Sequence, residues 1–291
     1  MSTLNTCASN LTLRATPRVL SIAGTDPTGG AGIQADLKSI AANGGYGMAV
    51  VTALVAQNTQ GVGSIHTPPV EFLRQQLNAV SDDVTIDAVK IGMLGGVAVI
   101  HEVRSWLEAN RPPLVVLDPV LVATSGDRLL EPSAEQALRD LVPLVDLVTP
   151  NIPELGALLG ESPAADWADA VSQGRGLSSA TGVTVLVKGG HLSGSLCPDA
   201  LINTRGVLAE QVVEVSSPRV NTKNTHGTGC SLSSAMATVQ ARTGDWESSL
   251  AEVKDWLHGA LLHADALEVG AGNGPIDHFH RRTAPCAGLN A

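Results

Sequence analysis

Five short runs of this chain are mostly apolar, and they restrict its fold more than any other feature. The runs occupy residues 18–23, 48–55, 88–91, 114–117 and 183–187. A strand with apolar side chains on both faces needs cover on both faces, as in a parallel sheet between two helical layers. Helix-compatible segments separate the runs. The pattern therefore predicts an α/β fold around a mostly parallel sheet.

The remaining elements are predicted from helical spacing and from start and stop signals. Helices are expected over residues 33–43, 67–80, 95–110, 230–242 and 246–269, with a short one after Asn151. One more strand is expected at residues 146–149. Segments 199–203 and 211–215 flank a turn at 204–206 and predict a small antiparallel addition to the sheet.

The 291 residues read as one domain, because no linker, charge block or internal repeat divides them. The domain is predicted to span residues 18–281. Residues 1–17 are expected to form a disordered N-terminal extension, and residues 282–291 a C-terminal tail.

Charge and cysteine usage argue against several classes of function. The formal net charge is −10 without any basic run, so nucleic-acid or anionic-membrane binding is not expected. The four cysteines are scattered without C-x-x-C spacing, so neither a zinc cluster nor a disulfide framework is predicted, and a reducing, cytoplasmic setting fits. No uninterrupted apolar stretch approaches the roughly 18 residues of a membrane span.

Polar residues follow several of the predicted strands at the point where each strand ends. These residues are Asp26, Gln57, Asn58, Asp118, Asn151, Glu154, Lys188 and the turn before Cys230. In open α/β sheets, ligands bind beyond the carboxyl ends of the strands. The sequence therefore predicts that these side chains meet in one site.

The turn at residues 221–230 combines glycines with a strong helix start. Gly227 and Gly229 let the backbone turn tightly and approach a ligand. The first amides of the following helix predict an anion site. The same amides predict a lowered pKa for the Cys230 thiol. The alternative is an ordinary helix start with a structural cysteine.

Four other polar side chains each have two interpretations. Asn151 and Glu154 lie three apart at a helix start, so they either bind Mg²⁺ through its waters or form a helix cap, the latter slightly favoured. Lys188 either meets phosphate or pairs with a carboxylate. Lys254 either faces phosphate or faces solvent, with solvent favoured.

Three further features carry weaker signals. The loop at residues 24–32 is neither a Walker A nor a Rossmann motif, so it is either a tight turn or a backbone contact to a small ligand. Asp36 either complements a helix dipole or accepts a hydrogen bond from a ligand amine. His278 and His280 lack companion metal ligands, so structural or exposed roles are favoured.

Seven segments together carry a family resemblance. They are residues 23–38, 52–62, 90–94, 117–120, 149–154, 188–191 and 220–230. In these segments the chain resembles the ribokinase-like vitamin kinases, and among them the bacterial hydroxymethylpyrimidine/phosphomethylpyrimidine kinases of thiamine biosynthesis. The resemblance covers about residues 18–281 and implies a three-layer sandwich with helices on both faces of the sheet. Leu121 departs from the family, where methionine is common, but this swap conserves volume.

The resemblance implies two ATP-dependent reactions. The first phosphorylates the hydroxymethyl group of 4-amino-5-hydroxymethyl-2-methylpyrimidine, and the second converts the monophosphate to the diphosphate. ATP and Mg²⁺ are the implied cofactors, and a homodimer is the implied assembly. Asp36 and Gln57 would contact the pyrimidine, and Gly24, Ala31 and Met93 would line its pocket.

The resemblance also assigns the phosphate side of the site. Gly227, Thr228, Gly229 and Cys230 would form the anion hole. Cys230 takes the place of the aspartate base of the sugar kinases, and it would either remove the proton or only complete the anion hole. ATP would bind Lys188, Asn151, Thr228 and Lys254. Glu154 and Asp118 would lie near the Mg²⁺ ion.

Three alternatives to this function stay open. Pyridoxal kinases share the fold and the Gly-Thr-Gly-Cys turn, and dual activity is common in the group, although Gln57 favours the pyrimidine. A hydrolase or transferase with Cys230 as covalent nucleophile needs an adjacent base. His226 is the only candidate nearby in sequence, and nothing in the sequence orients it. A non-catalytic nucleotide-binding module would bind ATP without releasing ADP.

Overall fold

The chain forms one large sheet and one separate hairpin. The computed structural model describes residues 13–123, 126–127 and 129–282. The large sheet has the strand order β10-β9-β8-β7-β6-β5-β1-β2. Its strands are β1 (Arg18–Ala23), β2 (Tyr46–Val51), β5 (Ala88–Ile91), β6 (Val115–Leu117), β7 (Leu147–Val148), β8 (Thr184–Lys188), β9 (Leu196–Ile202) and β10 (Val212–Pro218).

The sheet is parallel from β2 to β8, and two antiparallel strands extend it at one end. Strand β9 pairs antiparallel with both β8 and β10. The apolar runs occupy the parallel part because its strands are covered on both faces. The mostly parallel sheet with an antiparallel addition is therefore confirmed.

Helices cover both faces of the sheet and make three layers. They are α1 (Gly32–Ala42), α2 (Val70–Ser81), α3 (Val97–Asn110), α4 (Glu135–Leu141), α5 (Ile152–Leu159), α6 (Trp167–Thr181), α7 (Thr228–Thr243) and α8 (Trp246–Leu262). Neighbouring strand residues point to opposite layers, since Val19 packs in one core and Leu20 in the other. One core lies against α1, α7 and α8, and the other lies against α2 to α6.

The apolar run at residues 48–55 belongs to two sheets rather than to one strand. Strand β2 ends at Val51, and β3 (Leu54–Asn58) pairs antiparallel with β4 (Gly61–His66) in a hairpin outside the large sheet. The hairpin is half-exposed, with Leu54 on the surface and Val55 buried. This alternation is typical of a strand with one solvated face.

A glycine strap, residues 270–274, holds the turn of this hairpin. The backbone N–H groups of Gly272 and Asn273 donate to the side chain and backbone oxygens of Thr59. The N–H of Gly274 donates to the side chain of Asn224, and Gly274 accepts from the N–H of His226. The strap therefore connects the hairpin to the turn that precedes α7.

The structure differs from the prediction at the end of one helix and in three further elements. The last long helix ends at Leu262 rather than Val269, and Ala264–Leu267 forms a separate 3-10 turn. Helices α4 and α6 and strand β4 were not predicted from the sequence. Helix α6 contains two glycines, Gly174 and Gly176, which weaken the helical signal.

The chain ends are described only in part. Residues 1–12 of the expected N-terminal extension and residues 283–291 of the expected tail lie outside the described residues. Within the extension, Arg14 forms an ion pair with Asp87 on the domain. None of the helices in the described ranges is long and apolar enough to cross a membrane.

Candidate active site

The carboxyl ends of the parallel strands open into a cavity of about 740 Å³. Most of the residues singled out in the sequence line it. On one side lie Gly24, Ala31, Gln57 and Met93, and on the other lie Asp118, Asn151, Glu154, Lys188, residues 227–230 and Lys254. The sheet brings these side chains together because parallel strands end at the same edge.

The anion-binding turn depends on a left-handed glycine. Gly227 has φ of 74°, and a Cβ there would lie 1.8 Å from the carbonyl oxygen of Gly30. No described side chain caps α7, which begins at the next residue. Its first amides therefore face the cavity without a side-chain acceptor.

The pKa of Cys230 corrects the prediction made from the helix start. Burial raises the pKa of this thiol to about 11. Lys90 and the backbone N–H of Gly32 oppose the rise, whereas Asp36 and Asp118 add to it. Burial and the carboxylates outweigh the favourable groups, so the thiol is protonated at neutral pH.

Lys188 lies between two carboxylates at the floor of the cavity. Its Nζ is 3.0 Å from Asp118 Oδ1 and 3.9 Å from Glu154 Oε2. Burial raises the pKa of Glu154 to about 7, against the effect of Lys188. Burial also opposes the charge of Asp118, but Lys188 and Lys90 hold the pKa of Asp118 below its usual value. The cluster thus holds a cation beside a carboxylate that stays ionised.

The cluster has the donor chemistry of a magnesium site that relies on phosphate and water. In the described parts of the chain there is no group of three or more histidine, cysteine, aspartate or glutamate side chains that could hold a metal. Mg²⁺ is typically held by one or two carboxylates together with substrate phosphates and water. Asp118 and Glu154 fit that requirement.

Asn151 and Glu154 form a complete capping box at the start of α5. The Asn151 side chain accepts from the Glu154 N–H at 2.9 Å, and the Glu154 side chain accepts from the Asn151 N–H at 2.9 Å. The capping interpretation is therefore present in the structure. Both residues also line the cavity, so capping holds them at its wall.

Lys254 faces the cavity rather than solvent, so the preference for solvent was wrong. It is buried and forms an ion pair with Asp199 on β9. Asp199 also accepts from the backbone N–H of Gly189. The pair links α8 to the loop that follows Lys188.

Asp36 does not line the cavity. It is fully buried beneath it, where it accepts from Lys90 Nζ at 2.8 and 2.9 Å, from Ser21 Oγ at 2.6 Å and from Ser234 Oγ at 2.7 Å. The sequence indicated neither Lys90 nor the two serines as neighbours, because they come from three other elements.

The opposite wall of the cavity is built by the loop after β1 and by the hairpin. The Gln57 side chain donates to the Thr25 carbonyl at 3.1 Å. A Cβ at Gly24 would lie 3.0 Å from Met93 Sδ, so these two residues are in close contact. This wall offers an amide, a thioether and backbone groups to a small flat ligand.

The structure shows what orients His226. Its Nε2 lies 2.7 Å from Oδ2 of the buried Asp26, although 200 positions separate the two residues. Asp26 also accepts from the N–H groups of Thr28, Gly30 and Ala31. Burial opposes its charge, but His226 and Thr28 lower the pKa of Asp26 to about 2. The pair holds the loop after β1 against the turn before α7.

His278 and His280 do not form a metal site in the described chain. His278 is buried, with Nε2 at 2.9 Å from Ser231 Oγ, and burial lowers its pKa to about 4. His280 stacks on His263. The structural interpretation of these histidines is therefore supported.

Comparison with known proteins then identifies the family. The family model described as phosphomethylpyrimidine kinase matches residues 26–277. The chain belongs to this family. It is similar to the hydroxymethylpyrimidine/phosphomethylpyrimidine kinase of Salmonella typhimurium, with 50% identity over 262 residues, covering 90% of this chain and 97% of that protein.

The chain is also similar to a longer multifunctional protein and to a solved structure. A thiamine biosynthesis multifunctional protein of Corynebacterium glutamicum is 57% identical over 91% of this chain, which spans only 34% of that longer protein. A Bacillus subtilis pyridoxal kinase, solved as an ADP complex, has a TM-score of 0.82 at 29% identity and covers 92% of this chain and 99% of its own. The ribokinase-like fold is therefore confirmed.

Proposed function

We propose that this chain transfers the γ-phosphoryl group of ATP to 4-amino-5-hydroxymethyl-2-methylpyrimidine, and then phosphorylates the monophosphate to the diphosphate, in thiamine diphosphate biosynthesis. One observation carries the proposal. A single cavity joins an uncapped helix start, a lysine between two carboxylates and a wall bearing the Gln57 amide. Phosphoryl transfer requires positioning and neutralisation of charge, and these groups supply both.

The pyrimidine would lie against the wall formed by Gly24, Ala31, Gln57 and Met93. The Gln57 amide can both donate to and accept from the edge of an aminopyrimidine. The Met93 thioether packs against an aromatic face. Asp36 would support this wall from beneath, because its carboxylate is fully buried.

The phosphates would lie over the start of α7. The backbone amides of Gly229 and Cys230 would bind the transferring group, with Gly227 and Thr228 shaping the turn. Lys188, Asn151 and Lys254 would contact ATP, and Asp118 and Glu154 would hold Mg²⁺. A bound Mg²⁺ would neutralise charge on the phosphates.

Cys230 would accept the proton of the attacking hydroxyl. A thiol with a pKa of about 11 is a strong base once ionised, but only a small fraction is ionised at neutral pH. The phosphate-binding amides and Lys90 both favour the thiolate, because they are positive groups near the sulfur. This role therefore implies a reaction that accelerates as pH rises.

A homodimer and a cytoplasmic location complete the proposal. The β3–β4 hairpin carries exposed apolar side chains, Leu54 and Ile65, which a second copy could cover. Cys197 and Cys230 are free thiols, as in a reducing compartment.

An assay of ADP release on four substrates tests the activity. The substrates are the pyrimidine alcohol, its monophosphate, pyridoxal and pyridoxine, each with ATP and Mg²⁺. We expect release with the first two. Release only with pyridoxal or pyridoxine would establish the alternative kinase, and binding of ATP without ADP release on any of the four would contradict a kinase altogether.

A further inference from the structure

We infer that Lys90 and Asp36 form a positioning pair beneath the anion-binding turn, in which the ammonium of Lys90 favours negative charge at Cys230 and Asp36 holds that ammonium in place. The inference rests on the proposed part of Cys230 in phosphoryl transfer. Lys90 lies in a segment that resembles the family, yet the proposed function gives it no contact with substrate or ATP.

The pair is sealed inside the protein. Lys90 and Asp36 are both fully buried, and both Asp36 oxygens lie within 2.9 Å of Lys90 Nζ. Ser21 and Ser234 donate the remaining hydrogen bonds to Asp36. Four elements, β1, α1, β5 and α7, thus meet at one carboxylate.

Helices α1 and α7 hold the pair about one helical turn away from Cys230. On α7, Ser234 follows Cys230 by four positions and therefore lies on the same face. On α1, Asp36 follows Gly32 by four positions in the same way. Gly32 donates its backbone N–H to Cys230, and Asp36 accepts from Ser234. The two contacts are about one helical turn apart, or about 6 Å along each axis.

The backbone nearby leaves room for the ammonium. A Cβ at Gly92 would lie 2.8 Å from Lys90 Nζ. Glycine at this position therefore lets the end of β5 pass close to the charge. A larger residue would push the Lys90 ammonium away from Asp36.

Stability alone does not account for a pair of this kind. Desolvating two charges costs several kcal/mol for each ion, and apolar residues of similar volume often serve a core equally well or better. A charge in a poorly screened interior acts over several ångströms, however. A lysine one turn behind a thiol can therefore influence its ionisation without touching it.

Four charged groups act on Cys230 from the surrounding elements. Lys90 on β5 lowers the pKa of Cys230, whereas Asp36 on α1 and Asp118 after β6 raise it. Lys188 at the end of β8 also interacts with the thiolate. The effect of Lys90 is larger than that of Asp36. The pair as a whole therefore favours the thiolate.

Alkylation of Cys230 tests the inference without requiring kinase activity. The full chain and the variants Lys90→Met, Asp36→Asn and Lys90→Met/Asp36→Asn are treated with iodoacetamide between pH 7 and 9. The rate at Cys230 is measured by mass spectrometry of its peptide. Below the thiol pKa this rate follows the thiolate fraction, so about one pKa unit changes it tenfold. Cys197, which lines the same cavity, serves as the internal reference.

The variants are expected to change the rate in opposite directions. Lys90→Met should slow alkylation of Cys230 by about tenfold, as expected for loss of a charge in a poorly screened site. Asp36→Asn should accelerate it severalfold, because it removes a carboxylate that opposes the thiolate while Lys90 keeps its charge. The double variant should be slower than the unmodified chain but faster than Lys90→Met.

Two results would overturn the inference. A pair with only a structural role would shift both single variants in the same direction, together with the rate at Cys197. If Lys90→Met does not fold, the double variant decides the question, because it leaves no unpaired buried charge. An alkylation rate in the double variant equal to or above that of the unmodified chain contradicts the inference, whether or not the chain phosphorylates a pyrimidine.

Discussion

At the scale of single residues, Cys230 lies between opposing influences. Lys90 and the backbone N–H of Gly32 favour its thiolate, whereas burial and two carboxylates favour the thiol. Cys230→Ala should keep the KM for the pyrimidine within about twofold and lower kcat on the order of 10²–10⁴-fold, the usual contribution of a positioned base. Steady-state kinetics between pH 7 and 9 measure both constants.

The pH profile adds a second readout for Cys230. In the unmodified chain kcat should rise with pH throughout this range, because the thiol pKa is about 11. The rise should be absent from Cys230→Ala. Cys197→Ala is the matched control in the same cavity and should retain both kcat and its pH dependence. A near-normal kcat in Cys230→Ala would assign the cysteine only to the anion hole.

His278 should make the protein sensitive to mild acid. Its pKa falls from 6.5 to about 4 because of burial. The unfolded chain therefore binds the extra proton first as pH decreases. The contribution of His278 to stability is fully present above pH 6.5 and is lost between pH 6.5 and 4, by about 3 kcal/mol.

Urea unfolding of His278→Gln at several pH values measures this contribution. The variant should lose the part of the pH dependence that lies between pH 6.5 and 4. His66→Gln, at an exposed position on β4, is the histidine control and should retain the loss of stability that His278 causes between pH 6.5 and 4. An unaltered pH dependence in His278→Gln would mean that His278 is protonated in the folded state as readily as in the unfolded one.

Residue types were predictable from the sequence, but their surroundings were not. The expectation of a lowered pKa at Cys230 considered only the helix that it begins. Burial, Asp36 and Asp118 depend on elements far away in sequence, and together they reverse the direction. Asp36 was expected at the ligand for the same reason, since the sequence does not show Lys90 or Ser234 around it.

At the scale of elements, the cap of α5 has two separable roles. Asn151→Ala should lower the free energy of unfolding by about 1 kcal/mol through loss of the capping hydrogen bond. It should also raise the KM for ATP, because Asn151 lines the cavity. Asp166→Ala removes the equivalent cap of α6, which accepts from the Asp169 N–H.

The two capping variants form a matched pair. Asp166 is not among the residues that line the cavity, so Asp166→Ala should lose similar stability with an unchanged KM for ATP. Equal KM values in both variants would restrict Asn151 to capping. Denaturant unfolding and steady-state kinetics on the same preparations provide both measurements.

The glycine strap should control the position of the hairpin. A Cβ at Gly272 would lie 2.0 Å from the carbonyl oxygen of Thr59, so Gly272→Ala must displace the hairpin turn. Because Gln57 lies two positions before Thr59, we expect a KM for the pyrimidine at least about tenfold higher and little change in the KM for ATP. A tenfold change equals about 1.4 kcal/mol, a small cost for such a clash.

Gly176→Ala provides the control for this substitution. Gly176 lies within α6 with open space at the Cβ position, so alanine should raise stability by up to about 1 kcal/mol without changing either KM. Equal effects of Gly272→Ala on both KM values would point to general disruption instead of displacement of the hairpin.

Elements were predicted well where the local pattern has one interpretation. The buried parallel strands, such as Ala88–Ile91, are apolar throughout and were located to within about two residues. The hairpin was missed because its first strand continues the apolar run of β2, from which only Thr52 and Ala53 separate it. Strand β4, Gly61–His66, gives a weak strand signal because two of its six residues are glycines.

At the scale of the whole molecule, the hairpin also predicts the assembly. Leu54 and Ile65 are 51% and 41% exposed on it, so both are accessible to a second copy. We expect light scattering to give twice the 29.9 kDa mass of one chain. Ile65→Asp should reduce the mass to that of a single chain, because an interface depleted of water does not accept an unpaired charge.

The control for assembly lies elsewhere on the surface. Leu196, at the start of β9, is 54% exposed and outside the hairpin. Leu196→Asp should leave the measured mass unchanged. A single-chain mass for the unmodified protein would contradict the dimer directly.

The general position of the site was predictable because it follows from topology. Parallel strands deliver their carboxyl ends to one edge, so Asp118, Asn151 and Lys188 had to be neighbours once the sheet was recognised. The contacts that cross between layers were not predictable in this way. The ion pair of Lys254 with Asp199 depends on how α8 lies against β9, and helix spacing does not determine that.

The contact between Asp26 and His226 has a consequence for how the protein is made. The ribosome adds about 5–20 residues per second. His226, 200 positions after Asp26, is therefore added on the order of 10–40 s later. The strands β1 to β8 can all leave the ribosome before the turn that carries the cysteine exists. The candidate site therefore closes only after the turn that carries the cysteine has been made, when His226 contacts Asp26 in the first loop.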